Sequence, residues 1–206
     1  FEVPEAATAA SALLEDVQSR YPDIEMVASG VVFMNNAFSQ ASQDDLKTLI
    51  PVMYGLLILS MLIFLRSVMS TLATVVIIAF SAMTAMGIAG WMGVNLTPPS
   101  ASAPTVILTL AIADSIHIII SMLKEMQFGR SKQEAIIESL RINLQPIFLT
   151  SLTTAIGFLS LNFSDAPPFH DLGNITAIGV GAAFAYSVVL LPVLLSFLPV
   201  HCRVLR

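Results

Sequence analysis

Charge is scarce in this chain, and where it occurs it is clustered. Charged residues make up 11% of the 206 positions and hydrophobic residues 56%, against about 25% charged in an ordinary soluble domain. The clustering leaves long uncharged runs, and about 18 or more apolar residues are what a helix needs to span a hydrocarbon core of roughly 30 Å. A water-soluble core of this size would need polar residues interleaved to face solvent, so the pattern excludes that class. Cysteine is nearly absent: Cys202 stands alone and can close no internal disulfide, so cysteine usage leaves the redox compartment open. Also missing are a Gly-x-Ser-x-Gly elbow, a phosphate-binding loop, a His-Glu-x-x-His pair and a paired-cysteine metal motif. Their absence argues against the common hydrolase, nucleotide and zinc enzymes, and neither enzymatic activity nor a cofactor or metal is expected. An intramembrane aspartyl protease would need two membrane carboxylates, and only one is supplied. The chain opens at Phe1 with no signal peptide before its first apolar run, and reads as a piece of a longer protein.

What is present divides into a polar lead segment and an apolar remainder. Residues 1–48 read as water-exposed. Ala6 to Arg20 has helical composition, Tyr21-Pro22-Asp23 breaks it, and Ile24 to Phe33 is rich enough in β-branched residues to suit a strand with Gly30 as a bulge. Asn35 to Lys47 then leads helically toward the membrane. Five crossings are expected from residue 49 to 200, at about 49–65, 71–94, 104–123, 146–161 and 174–198. Pro104 and Pro146 fall where a first helical turn tolerates proline, and Pro192 should kink the fifth crossing or mark its last turn. Residues 131–143 alternate charge with Ala135, Ile136, Ile137, Leu140 and Ile142, which suits an amphipathic helix on the bilayer surface. The fold class expected is an all-α polytopic membrane protein, a five-helix bundle with a short α/β piece before it.

The positive charges orient the bundle. With five crossings, Arg66, Lys124, Arg130, Lys132, Arg141, Arg203 and Arg206 all fall on one side, seven of the nine Lys and Arg residues. The opposite loops, 95–103 and 162–173, hold none. The rule that positive loops stay inside puts the tail 201–206 in the cytoplasm and residues 1–48 outside, in the periplasm if the membrane is a bacterial inner membrane.

Asp114 is the one carboxylate near the middle of a crossing, in Ala111-Ile-Ala-Asp-Ser-Ile-His117. An ionised carboxylate there is costly, so an intramembrane acid is a candidate for a relay or a transport pathway. His117 and Ser121 follow at three and seven residues, on the same broad helical face, and His117 has the chemistry of a proton shuttle. The bland reading is that Asp114 bonds a neighbouring helix and His117 is a spacer. In the fourth crossing Thr150, Thr153, Thr154 and Gly157 form one stripe of the small and hydroxyl residues that let membrane helices approach, and as a set they point to the face turned inward. Packing alone explains any single one of them, as it does Gly87, Gly90 and Gly93 in the second crossing and Gly179 and Gly181 in the fifth. Ser164 to Gly173, with two acids and His170, reads as a rigid proline turn followed by a helix capped by Asp171 or Asn174, in preference to a metal site.

Two stretches, Ala111 to Ile118 running into Lys124-Glu125 and the 129–139 surface helix, and Thr150 to Leu161 running on through Pro167-Pro-Phe-His-Asp-Leu-Gly173 to Leu195, resemble the resistance–nodulation–division superfamily of exporters. The branch is similar to the MMPL, or mycobacterial membrane protein large, family and to sterol-sensing-domain proteins. The resemblance covers about half the chain. It implies one half of a pseudo-symmetric transporter, crossings two to six of twelve, with residues 1–48 ending a periplasmic domain. It also implies proton-driven export of a hydrophobic, amphiphilic or lipidic substrate, with the proton as coupling ion. Asp114 would be the proton-relay residue with His117, supported by Ser115, Ser121, Thr150, Thr153 and Thr154. Several relatives carry Asp-Asp or Asp-Tyr where this chain has Asp114-Ser115. The partners implied are membrane lipids, the lipidic substrate, the second half of the same polypeptide and further copies of the chain, with no nucleic acid. The rival is a sterol-sensing-like module that binds lipid and regulates a partner without transport.

Overall fold

Glycine and serine punctuate the helices of this protein, and two of its prolines follow widened turns. The computed structural model describes residues 2–65, 67–94, 96–97 and 99–199. Its helices are α1 (Glu2–Arg20), α2 (Val31–Asp44), α3 (Ile50–Leu65), α4 (Val68–Trp91), α5 (Ala103–Gln127), α6 (Lys132–Leu159), α7 (Pro167–Ala185) and α8 (Leu191–Phe197). A π-helical turn at Asp45–Leu49 precedes α3, another at Tyr186–Leu190 joins α7 to α8, and 3-10 turns at Ser100–Ser102 and Ser160–Phe163 flank α5 and α6. Arg66 and the tail 201–206 with Cys202, Arg203 and Arg206, on which part of the orientation rests, lie outside the described residues.

Both π turns end two residues before a proline: Leu49 before Pro51, Leu190 before Pro192. Proline has no N–H, and its ring crowds the carbonyl four residues back. Those carbonyls, of Lys47 and Val188, lie inside the π turns, where the wider winding relieves the crowding. The fifth apolar stretch therefore does not stop at Pro192 but continues as α8, with the Leu191 N–H bonded to Tyr186 O in the π pattern.

The chain forms two units, residues 1–54 and 55–206. In the first, α1 packs on α2 and buries Ala7. The strand expected over Ile24–Phe33 does not form. Residues 25–29 are irregular, Gly30 takes a positive φ of 133°, and Val31 to Phe33 open α2. A strand needs a hydrogen-bonded neighbour to be stable, no strand occurs among the described residues, and Gly30 lets the chain turn straight into a helix. The α/β character expected for this piece is thus helical instead.

In the second unit four stretches are long and apolar enough to cross a membrane: Val68–Trp91, Ser100–Gln127, Lys132–Phe163 and Pro167–Phe197. The first of the expected crossings, at 49–65, is a shorter apolar helix. The 16 residues of α3 span about 24 Å at 1.5 Å per residue, less than a hydrocarbon core of about 30 Å. The surface helix at 131–143 and the crossing at 146–161 are one continuous helix, α6, with Pro146 inside it. Proline was expected to begin a helix there, but membrane helices tolerate an internal proline where neighbouring groups re-satisfy the backbone. Helices α5 and α7 each pack on the other and on both α4 and α6. Their meeting point is a cluster of Ala85, Ala89, Ala103, Ile107 and Ile175. Close approach of α7 to its neighbours requires Gly179, where a Cβ would collide with the Ile107 side chain of α5, and Gly173, where it would collide with the Phe158 carbonyl oxygen of α6. Gly87, Gly90, Gly93, Gly157 and Gly181 face open space, so of the glycines read from the sequence as packing surfaces Gly179 is the close-contact one, and Gly173, read there as part of a loop, joins it.

Candidate functional site: a buried acid between two antiparallel helices

Helix α5 begins with proline in its first turn and ends where Gly129 takes φ 90°. The Arg130 N–H bonds Glu125 O at 3.3 Å and the Gly129 N–H bonds Met126 O at 3.1 Å, the paired bonds that close a helix on a glycine. Two residues later Ser131 and Glu134 form a capping box, each side chain bonded to the other's backbone N–H, that starts α6. A stop followed at once by a start turns α6 back along α5.

Contact between them runs along one narrow face of α6. Ile136, Ser139, Asn143, Ile147 and Ser151 are buried, at spacings of three and four residues. Ser139 Oγ donates to Ile118 O at 2.5 Å, and Asn143 Nδ2 donates to Ser139 O at 2.8 Å. Farther along, the buried Ser151 brings its hydroxyl up to the Asp114 carboxylate. Asp114 is 5% exposed. No other described carboxylate is buried. The structure thus joins an acid on one crossing to a hydroxyl on the next.

The other residues singled out fall elsewhere. Ser115 is fully buried and its hydroxyl has no hydrogen-bond partner among the described residues. His117 is exposed and Ser121 half-buried, so the histidine three residues beyond Asp114 has turned off the buried face. Thr150 and Thr153 are exposed, and Thr154 is half-buried. The first two hydroxyls donate to their own helix, Thr150 to Pro146 O at 3.0 Å and Thr153 to Leu149 O at 2.8 Å. Of the stripe expected to mark the inward face of this crossing, Thr150, Thr153 and Gly157 are exposed within this chain and Thr154 is half-buried. Ser151, passed over among the four hydroxyls, is the member that reaches the acid. The signal for it was the recurrence of Ser139, Asn143 and Ser151 in step with Ile136 and Ile147.

Ion pairs gather where α5 gives way to α6. Arg130 bridges Glu125 at 3.2 Å and Glu138 at 3.4 Å, and Arg141 pairs with Glu138 at 2.9 Å. Lys132 Nζ donates to Ser196 O at 2.8 Å and Leu198 O at 2.6 Å, closing the end of α8. A cation on terminal carbonyls matches the negative end of a helix dipole. At the opposite end Asn162 and Asn174 exchange side-chain hydrogen bonds of 2.9 and 3.1 Å, and His170 Nε2 lies 2.8 Å from Ser164 O. Helix α7 starts earlier than expected: Pro167 and Pro168 occupy its first turn, and Asp171 and Asn174 lie inside it, not at its cap. Among the described residues no group of three His, Cys, Asp or Glu is gathered to hold a metal ion.

The sequence is similar to MJ1562 of Methanocaldococcus jannaschii, 24% identical over 190 residues, which cover 89% of this chain and 49% of that protein. It is similar also to YdgH of Bacillus subtilis, 26% identical over 175 residues, 82% of this chain and 20% of that protein. Both names are membrane-protein names that state no cargo, and the chain spans about half the length of the first and a fifth of the second. No solved structure matches it. The profile of the MMPL family matches residues 2–200, nearly the whole chain. A multi-pass helical bundle with a buried acid on its second long crossing is therefore a member of the MMPL family.

Proposed function

We propose that the chain is part of a secondary transporter that uses a proton gradient to move a hydrophobic, amphiphilic or lipidic substrate, with Asp114 as the proton site. The observation that carries this reading is the burial of Asp114 on α5, beside Ser151 of α6, in the contact between the two helices. A carboxylate held in apolar surroundings is expensive to keep ionised, so its charge state and the packing of its neighbours are coupled. When ionised, it accepts the Ser151 hydroxyl. When protonated, it becomes a donor and gives up the charge that held that contact. Proton-coupled transporters need such a group near the membrane midplane, between elements that move against one another.

The relatives' greater length favours further membrane helices in the complete polypeptide. The outward face of α6, with Thr150, Thr153 and Gly157 exposed, suits close packing against such a second half. In this reading residues 1–48 lie outside, and the charged end at Arg130, Lys132 and Arg141 faces the cytoplasm.

The test is full-length protein in liposomes carrying a fluorescent short-chain phospholipid. An imposed pH gradient is expected to drive labelled lipid across the bilayer, and a protonophore or Asp114→Asn to stop it. Movement that ignores both the gradient and the substitution would refute the proposal.

A further inference from the structure

Hydroxyls in this bundle usually find a carbonyl. Thr74 bonds Ser70 O, Ser81 bonds Ile77 O and Ser139 bonds Ile118 O. Ser115, Thr176 and Ser187 do not: each is fully buried, and none has a hydrogen-bond partner among the described residues. A buried polar group left unpaired costs free energy that the fold could have avoided, and such a group calls for an explanation in function.

The packing register says which of the three can serve Asp114. Gly179 of α7 meets Ile107 of α5 (179 − 107 = 72), and Ile175 shares one buried cluster with Ala103 and Ile107. One helix, α6, turns back between α5 and α7 in the chain, so the two run the same way and the Gly179–Ile107 contact sets their offset. On that register Ser187 falls beside residue 115, one residue or about 1.5 Å from the depth of Asp114. Thr176 falls beside Pro104, ten residues or about 15 Å away along the axis. Ser115 follows Asp114 on the same helix, where adjacent residues do not face each other. Ser187 is the unpartnered hydroxyl that lies on another helix at the acid's depth, and the π turn carrying it packs on α5. Its neighbour Tyr186 anchors that turn to α4, with its hydroxyl 2.9 Å from Thr84 Oγ1 and its ring 6.0 Å from that of Phe80. Short π segments inside α-helices occur often at functional sites.

We propose that Ser187 is a positioning residue for the protonated state of Asp114: its oxygen accepts the acid's O–H, directly or across one buried water. The inference rests on Asp114 being the proton site. An ionised carboxylate only accepts, and Ser151 supplies its donor. A protonated one must also donate, and Ser187 is the free acceptor at that depth. Loading the proton then shifts the acid's bond from α6 to the π turn of the last crossing, tying charge to the packing of two helices. Other charged and titratable groups on the packed elements sit away from this layer: Lys132, Glu134, Glu138 and Arg141 in the first turns of α6, His170 and Asp171 in the first turns of α7, and none on α4. Tyr186 is bonded to Thr84, and His117 is exposed.

The test is infrared difference spectroscopy of the full-length protein in lipid, between low and high pH. A protonated-carboxyl band that Asp114→Asn abolishes is expected. Ser187→Ala should move that band to higher wavenumber, Ser187→Thr should keep it in place, and Thr176→Ala should leave it unchanged. If Ser187→Ala fails to fold, Ser187→Cys, a weaker acceptor, must give the same displacement. A band that stays put in Ser187→Ala or Ser187→Cys, yet disappears in Asp114→Asn, overturns the role of Ser187 alone. A spectrum unaltered by Asp114→Asn overturns the proton site itself.

Discussion

Helices α5 and α6 both carry polar residues through an apolar stretch, and they treat them in opposite ways. Half of the most apolar window of α5 is buried inside the bundle, against 11% for α6. On α5 the buried acid, Asp114, is covered by neighbouring helices and lies beside a hydroxyl of one of them. On α6 most hydroxyls are outside, and Thr150 and Thr153 bond their own backbone. A hydroxyl that can satisfy itself on its own helix tolerates lipid or a close helix neighbour equally well. A carboxylate has no such outlet, so its position is the informative one. The richness of a face in hydroxyls does not say which way it turns, whereas polar residues in step with buried apolar ones do.

The largest difference between the two faces should appear at glycine. Gly173→Ala puts a methyl group against the Phe158 carbonyl, and should destabilise the bundle by about 1–3 kcal/mol. Gly157→Ala, in open space on α6, should change the stability of this chain by no more than about 1 kcal/mol, in the stabilising direction, through helix propensity. Thermal unfolding in detergent compares them. A cost at Gly157 that appears only in the full-length protein would show that its second half packs there.

A smaller contrast lies at the hydroxyls. Ser151→Ala removes the hydroxyl beside Asp114, and interhelical hydrogen bonds in membranes are worth about 0.6 kcal/mol on average and up to roughly 1.7. Thr153→Ala removes only a bond to its own helix and should stay within about 0.5 kcal/mol. Equal losses would erase the distinction between the two faces. Smallest of all, Lys132→Met frees the Ser196 and Leu198 carbonyls and should cost about 0.3–1 kcal/mol, read as faster hydrogen exchange confined to the end of α8.

Membrane class and family were legible in the sequence, because long uncharged runs admit few alternatives and the Asp114 and Thr150–Leu161 stretches are distinctive. The crossing count was less so. The 49–65 run is apolar but short, and Pro146 looked like a helix start although it lies inside α6. The strand at 24–33 failed because β-branched composition cannot tell a strand from the head of a helix when no pairing partner is visible. Asp114 stood out because a lone membrane acid is rare. Its partner Ser151 did not, since four hydroxyls within five residues offer several stripes and only packing chooses among them. Ser187 left no trace in composition at all; its place depends on the π turn before Pro192 and on the register between α5 and α7.

The most direct test of the account is proton uptake by full-length protein in liposomes under an imposed pH gradient, comparing wild type with Asp114→Asn at equal insertion. The account predicts uptake in the wild type and a loss of about tenfold or more in the mutant, the factor that corresponds to roughly 1.4 kcal/mol. Uptake at the same rate in both proteins would contradict it and leave Asp114 as a packing residue between two helices.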